Sequence, residues 1–100
     1  MKIVAVTACP TGIAHTYMAA DELKKAAPKK NIQIKVETQG AMGIENQLSA
    51  VDIAHADLVL IVSDIEVEQR ARFTGNKIHC VTIEEVLIDV DSVLDRCLTL

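Results

Sequence analysis

Hydrophobic and polar positions along this chain change period several times, and each change marks a new element. Ile3-Val4-Ala5-Val6 is a β-branched run at the start and predicts a buried strand. The period then lengthens to that of a helix over about 13–27. Ala20, Leu23 and Ala27 fall on its inner face, and Asp21, Glu22, Lys24 and Lys25 on its outer one. Pro28 and Asn31 mark its exit. Ile32-Gln33-Ile34-Lys35-Val36 alternates with period two, as an edge strand does. Gly40 and Gly43 bracket a loop, after which Ile44, Leu48 and Val51 give one apolar face to a short helix. Leu58-Val59-Leu60-Ile61-Val62 is apolar throughout, the mark of a strand covered on both faces.

Ser63-x-x-Glu66 next offers a capping box for a third helix, which Gly75 would end. Ile78 to Ile83 reads as a fourth strand. Thr82-x-x-Glu85 is a second capping box, and it opens the best-patterned helix of the chain. Val86, Leu87, Val90, Val93, Leu94, Cys97 and Leu98 recur there at helical spacing.

Four strands and four helices in strict alternation require right-handed βαβ crossovers. The expected fold is therefore α/β, with residues 1–100 forming a single doubly wound domain. It has a four-stranded parallel sheet, helices on both faces and a phosphate-binding loop after the first strand. Such sheets bind ligands beyond the carboxyl ends of their strands, where strand order reverses. The loop that begins at Cys9 and the loop that begins at Ser63-Asp64 should face each other.

Composition narrows the function. Tyr17 and Phe73 are the only aromatic residues, so the core is aliphatic and the stacking platforms of single-strand nucleic-acid binders are missing. A net charge of −4 also disfavours a nucleic-acid partner. Residues 1–50 carry six Lys against four acids, whereas residues 51–100 carry four basic residues against ten acids. The amino-terminal half is thus the one suited to receive phosphate. Three cysteines without a paired spacing describe no disulfide framework and point to a reducing cytoplasm. Met1-Lys2 and the six residues after it superficially resemble a lipoprotein signal, but the run falls short of the ~7–15 apolar residues of a signal core. No segment approaches the ~20 apolar residues of a membrane span.

Cys9 carries the most pointed chemistry. It sits between a strand end and a helix start, where the helix amino terminus can lower a thiol from its usual ~8.5 into the range of roughly 3.5–7.5. Pro10 restricts Cys9 to extended geometry, and Gly12 permits a turn closed to other residues. The amides of Thr11, Gly12, Ile13, Ala14 and His15 then have the spacing to curl around an anion, with the Thr11, His15 and Thr16 side chains as further donors. A thiolate in an anion cradle suits phosphoryl transfer. Cys80, in the predicted fourth strand, and Cys97, on the apolar face of the last helix, are expected in the core. His55 and His79 belong to no pattern of partners, and no second ligand pair has zinc-like spacing, so no metal site is expected.

The frame Cys-x5-His-Thr has the cradle spacing of the phosphatase signature Cys-x5-Arg-Ser/Thr, with His15 where the arginine would stand. An arginine clamps two oxygens of the transferring phosphoryl group. Its replacement disfavours hydrolysis and favours a carrier that keeps phosphate from water. Two alternatives stay open: a low-molecular-weight phosphatase or arsenate-reductase-like enzyme using Cys9, and a nucleotide-binding regulatory module. The second lacks both Gly-x-Gly-x-x-Gly and a Walker lysine.

Cys9 to Thr16 (CPTGIAHT) with Tyr17-Met18-Ala19-Ala20 resembles the active-site loop of the fructose-family enzyme IIB domain of the bacterial phosphoenolpyruvate-dependent sugar phosphotransferase system. The likeness extends through Val36-Glu37-Thr38-Gln39-Gly40, Gly43-Ile44-Glu45-Asn46 and Arg72-Phe73. The resemblance implies that a IIA phosphohistidine donates to Cys9, which passes the group to a fructose-type sugar held by a membrane-embedded IIC partner. The intermediate is a covalent phosphocysteine, and no cofactor is needed. It implies a cytoplasmic transferase, peripherally associated with its membrane partner. Thr11, Gly12, Ile13, Ala14, His15 and Thr16 would bind the phosphate, and Gln39, Gly40, Asp64, Arg70 and Arg72 would rim the docking surface.

Overall fold

The computed structural model describes residues 1–9 and 14–100. Strand β1 (Lys2–Ala8) leads to helix α1 (Ala14–Ala26), which tightens into a 3-10 turn at Ala27–Lys30. Strands β2 (Gln33–Gly40) and β3 (Gly43–Glu45), helix α2 (Ala50–Ala54) and strand β4 (Leu58–Ser63) follow. A second 3-10 turn (Arg70–Phe73), strand β5 (Ile78–Val81) and helix α3 (Ile83–Thr99) complete the order. The α/β sheet has five strands in the order β3-β2-β1-β4-β5, one more than the pattern predicts.

The additional strand is β3, antiparallel to β2, so β2 is not the edge its alternation suggests. A two-residue turn at Ala41 and Met42 joins them, and Gly43 at φ +88 completes it in a conformation that side-chain-bearing residues reach only at a cost. Ile44 therefore lies in a strand, and the helix predicted around Ile44, Leu48 and Val51 shrinks to Ala50–Ala54. Its buried residue is Ile53, while Val51 is exposed. Ser49 caps α2 with a full capping box, accepting from the Asp52 amide while the Asp52 carboxylate accepts from the Ser49 amide.

The third predicted helix does not form. The Ser63 hydroxyl accepts from the Ile65 amide at 3.0 Å and donates to the Ile65 carbonyl, closing a local turn instead of capping a helix. The chain from 64 to 69 has no helical or strand structure, and Gln69 adopts a left-handed conformation at φ 58 before the short turn at Arg70–Phe73. The second predicted capping box does form: Thr82 and Glu85 open α3.

Alternation along the central strands sends side chains to two cores. Ile3, Ala5, Leu58, Leu60 and Val62 face α1 and α3 and join Leu23, Val86, Val93, Leu94 and Cys97. Val4, Val6, Ala8, Val59 and Ile61 face the other way, toward Leu48, Ile53, Val67 and Phe73. Each fully buried aliphatic side chain contributes roughly 1.5–3 kcal/mol, and this two-sided burial is why the runs at 3–6 and 58–62 are continuous. Cys97 is buried as expected, and burial pushes its thiol up to about 11. Cys80 departs from expectation. It is exposed on the edge strand β5, its sulfur 4.0 Å from both terminal guanidinium nitrogens of Arg70.

Candidate active site

Strand order reverses at β1. The chain steps outward from β1 to β2 on one side, and to β4 and β5 on the other. Ala8 pairs in register with both Gln39 and Ser63, so the carboxyl ends of the three central strands lie level. Cys9 follows directly and is half-buried. It opens into a cleft of about 230 Å³ whose walls are Gln39, Gly40 and Ala41 on one side and Ile65, Glu66 and Glu68 on the other. Cys9 and the segment after β4 thus line one cleft at the sheet end; the rest of the loop expected to face that segment, residues 10–13, lies outside the described residues. A groove of about 390 Å³ beside Lys24, Lys35, Asn46 and Asp52 is roomier, but no cysteine lines it.

Thr11, Gly12 and Ile13, three of the proposed phosphate-binding residues, lie outside the described residues, as does Pro10. Ala14 and His15 are exposed in the first turn of α1. Thr16 is fully buried in the same turn. Its carbonyl accepts from the Thr7 hydroxyl at 3.1 Å, which ties α1 to the end of β1. The Thr16 hydroxyl itself is buried and finds no partner among the described residues. The Tyr17 hydroxyl donates to the Glu45 carboxylate and links α1 to β3; that hydrogen bond, with burial and the carboxylate charge adding to it, raises the phenol above its ordinary pKa.

The residues expected at the docking rim divide into two groups. Gly40, Asp64 and Arg70 are at least partly accessible. Gln39 and Arg72 are instead committed inside. The Gln39 amide donates to Glu37 at 2.8 Å and to the Glu68 carbonyl at 3.1 Å, and its oxygen accepts from the Glu68 amide at 2.8 Å. Arg72 forks onto both carboxylate oxygens of Glu37, donates from Nε to the Gln69 carbonyl, and lies 4.7 Å over the Phe73 ring.

The residue that sequence reasoning overlooked is Glu37, a fully buried carboxylate in β2. It takes Arg72, the Gln39 amide and, at 2.9 Å, the Leu48 backbone amide. Burial pushes its pKa up, but the hydrogen bonds from Arg72, Leu48 and Gln39 and the Arg72 charge outweigh that push and hold it below the usual carboxylate range. A signal for it exists in the sequence. Glu37 and Gln39 interrupt an otherwise strand-forming stretch at the period that aims them at one face.

A doubly wound α/β sheet with a cysteine at its topological switch point belongs to the class of folds that bind ligands beyond the carboxyl ends of their strands. Residues 4–96 match the family described as "PTS system, Lactose/Cellobiose specific IIB subunit". The chain belongs to this IIB family of the sugar phosphotransferase system, and its curated relatives place it with the fructose-like members. It is 47% identical over 95 residues to the "PTS system fructose-like EIIB component 2" of Escherichia coli (strain K12), covering 95% of this chain and 90% of that one. Over 77 residues it is 51% identical to the "PTS system fructose-specific EIIABC component" of Bacillus subtilis (strain 168), covering 77% of this chain and 12% of that longer protein. The crystal structure described as a predicted fructose-specific IIB from Escherichia coli superposes with a TM-score of 0.90 at 40% identity. That match covers 95% of this chain and 84% of the other. Among the described residues, no helix is long and apolar enough to cross a membrane.

Proposed function

We propose that this chain is a phosphoryl carrier in which Cys9 accepts phosphate from a IIA phosphohistidine and delivers it to a fructose-type sugar bound by a membrane IIC partner. The observation that carries the reading is the position of Cys9, at the end of the central strand and opening into the cleft between the β2–β3 turn and the segment after β4. In the first step the thiolate attacks phosphorus. A sulfur–phosphorus bond forms as the nitrogen–phosphorus bond breaks, and the imidazole takes the electron pair and then a proton. In the second step a sugar hydroxyl attacks, the sulfur–phosphorus bond breaks, and the thiolate is regenerated while the hydroxyl proton leaves to a base on the acceptor side.

The amides of residues 11–15 and the side chains of His15 and Thr16 are the phosphate ligands in this scheme. The Thr16 hydroxyl, buried and without a partner among the described residues, supports its part, because a buried hydroxyl is costly unless something completes it. The donor and the protein that holds the acceptor sugar are components of the same system, which fits relatives whose names join A, B and C components. The carrier works at the cytoplasmic side of the membrane, requires no cofactor beyond its own phosphocysteine, and engages no nucleic acid.

The test is incubation with phosphoenolpyruvate, the general phosphotransferase proteins and a fructose-type IIA domain. One phosphoryl group should be incorporated by the wild type and by Cys80→Ser, and none by Cys9→Ser. Incorporation that persists in Cys9→Ser removes the proposal. Turnover of an aryl phosphate ester or arsenate without any protein donor would promote the phosphatase or arsenate-reductase-like reading instead.

A further inference from the structure

One wall of the Cys9 cleft is built from chain that has no helical or strand hydrogen bonding of its own, residues 64–69. Side chains from β2 and the Arg70–Phe73 turn hold it instead. Gln39 grips both backbone groups of Glu68, through bonds of 2.8 and 3.1 Å, and Arg72 grips the Gln69 carbonyl at 3.1 Å. Glu37 sits behind both gripping residues and accepts from each, while a further bond, from the Leu48 amide, anchors it to the segment that leads into α2. The side chain of Arg72 is 17% exposed and that of Glu37 is 0% exposed, so this is a buried charge pair.

Stability alone does not call for such a pair, because well-packed apolar residues of similar volume often stabilise a fold as well or better. What an apolar pair cannot do is fix the Gln39 amide and the Arg72 fork in one orientation. We propose that Glu37 and Arg72 are positioning residues for phosphoryl transfer: they hold the 64–69 wall in register with Cys9, through Gln39 and the Gln69 carbonyl, without touching the phosphoryl group. The inference rests on the reading of Cys9 as the phosphoryl carrier.

The decisive variant is the double substitution Glu37→Leu with Arg72→Leu, which removes both charges together and leaves neither one buried alone. Arg72→Lys accompanies it, keeping the charge but losing the two-pronged fork. Three quantities are measured: the thermal midpoint, exchange of the Glu68 amide hydrogen, and the rate of phosphate loading on Cys9 from a phosphorylated IIA domain at varied donor concentration. The double variant should fold with a midpoint lowered by the loss of the acceptor for the Leu48 and Gln39 amides, exchange the Glu68 amide faster, and load with a maximal rate lower by about tenfold or more, within the ~100-fold that a 1 Å misplacement can cost. The donor concentration for half-maximal rate should stay close to that of the wild type, and Arg72→Lys should fall between.

A double variant that folds and loads at the wild-type rate overturns the inference while leaving Cys9 as the carrier. If the double variant does not fold, wild-type loading by Arg72→Lys has the same force. Failure of the wild type itself to take phosphate overturns the Cys9 reading and this inference with it.

Discussion

Glu37 shows how one side chain couples stability to pH. Its carboxylate titrates below the ordinary range in the folded state, so its contribution is fully present above the unfolded value, roughly pH 4.3, and is lost as pH falls through the folded value. Glu37→Gln should therefore flatten the stability profile in that acidic window, as read by thermal midpoints from pH 6 downward (~pH 6 lies above the carboxylate range). Arg72→Ala leaves the carboxylate buried without its partner and should cost about 3–5 kcal/mol, measured by urea unfolding at neutral pH. The three cysteines offer a second check. An alkylating reagent should modify exposed Cys80 in the native protein and reach Cys97 only after unfolding, because Cys97 is fully buried and its thiol is pushed up to about 11. Cys9 was legible in the sequence because a strand end, a proline, a glycine and a helix start flank it within a few residues. Glu37 leaves a signal only in its period along β2, and its role was not legible, because what makes it important is Arg72, 35 residues away along the chain.

At the level of elements, local signals were trustworthy where the hydrogen bonds they predict are local too. Thr82 and Glu85 cap α3 as their spacing requires. Ser63 and Glu66 have the same spacing and start no helix, since the Ser63 hydroxyl is taken up two residues on and the Glu68 backbone is bound to β2. Strand β3 has three residues, too few for alternation to register, and it exists through pairing with β2. Helix α3 contains a break that periodicity also hides: Asp89 leaves the helical region at φ −153, and its carboxylate accepts from the Ser92 amide at 3.1 Å to cap the turns that follow. Helix α2 has only five residues and depends on its cap. Its Asp52 carboxyl, held down to about 2 by the Ser49 amide and then by Lys35 and the Ser49 hydroxyl, keeps accepting across the ordinary pH range. Ser49→Ala should cost about 1 kcal/mol, checked by chemical denaturation.

Across the whole molecule, one sheet separates two cores and brings the carboxyl ends of β2, β1 and β4 into line. Apolar runs announced the two central strands because both are buried on two faces, and the alternation of strands with helices called for crossover connections, whose reversal of order marks the candidate site. Burial also sets the cost of change. Leu60→Ala, on a central strand with no exposed surface, should cost about 2–5 kcal/mol, whereas Val51→Ala, 64% exposed on α2, should stay within about 0.5 kcal/mol, both read from urea unfolding. The arrangement as a whole places a cysteine, a helix start and a walled cleft at one end of the sheet, and the proposed role of the molecule depends on the phosphoryl group residing on that cysteine. Peptide mapping by tandem mass spectrometry of protein phosphorylated from phosphoenolpyruvate tests this most directly. A single phosphoryl group is expected on Cys9, and it should disappear when IIC-containing membranes and sugar are added. A group found on His15, His55 or His79, with Cys9 unmodified, would contradict it.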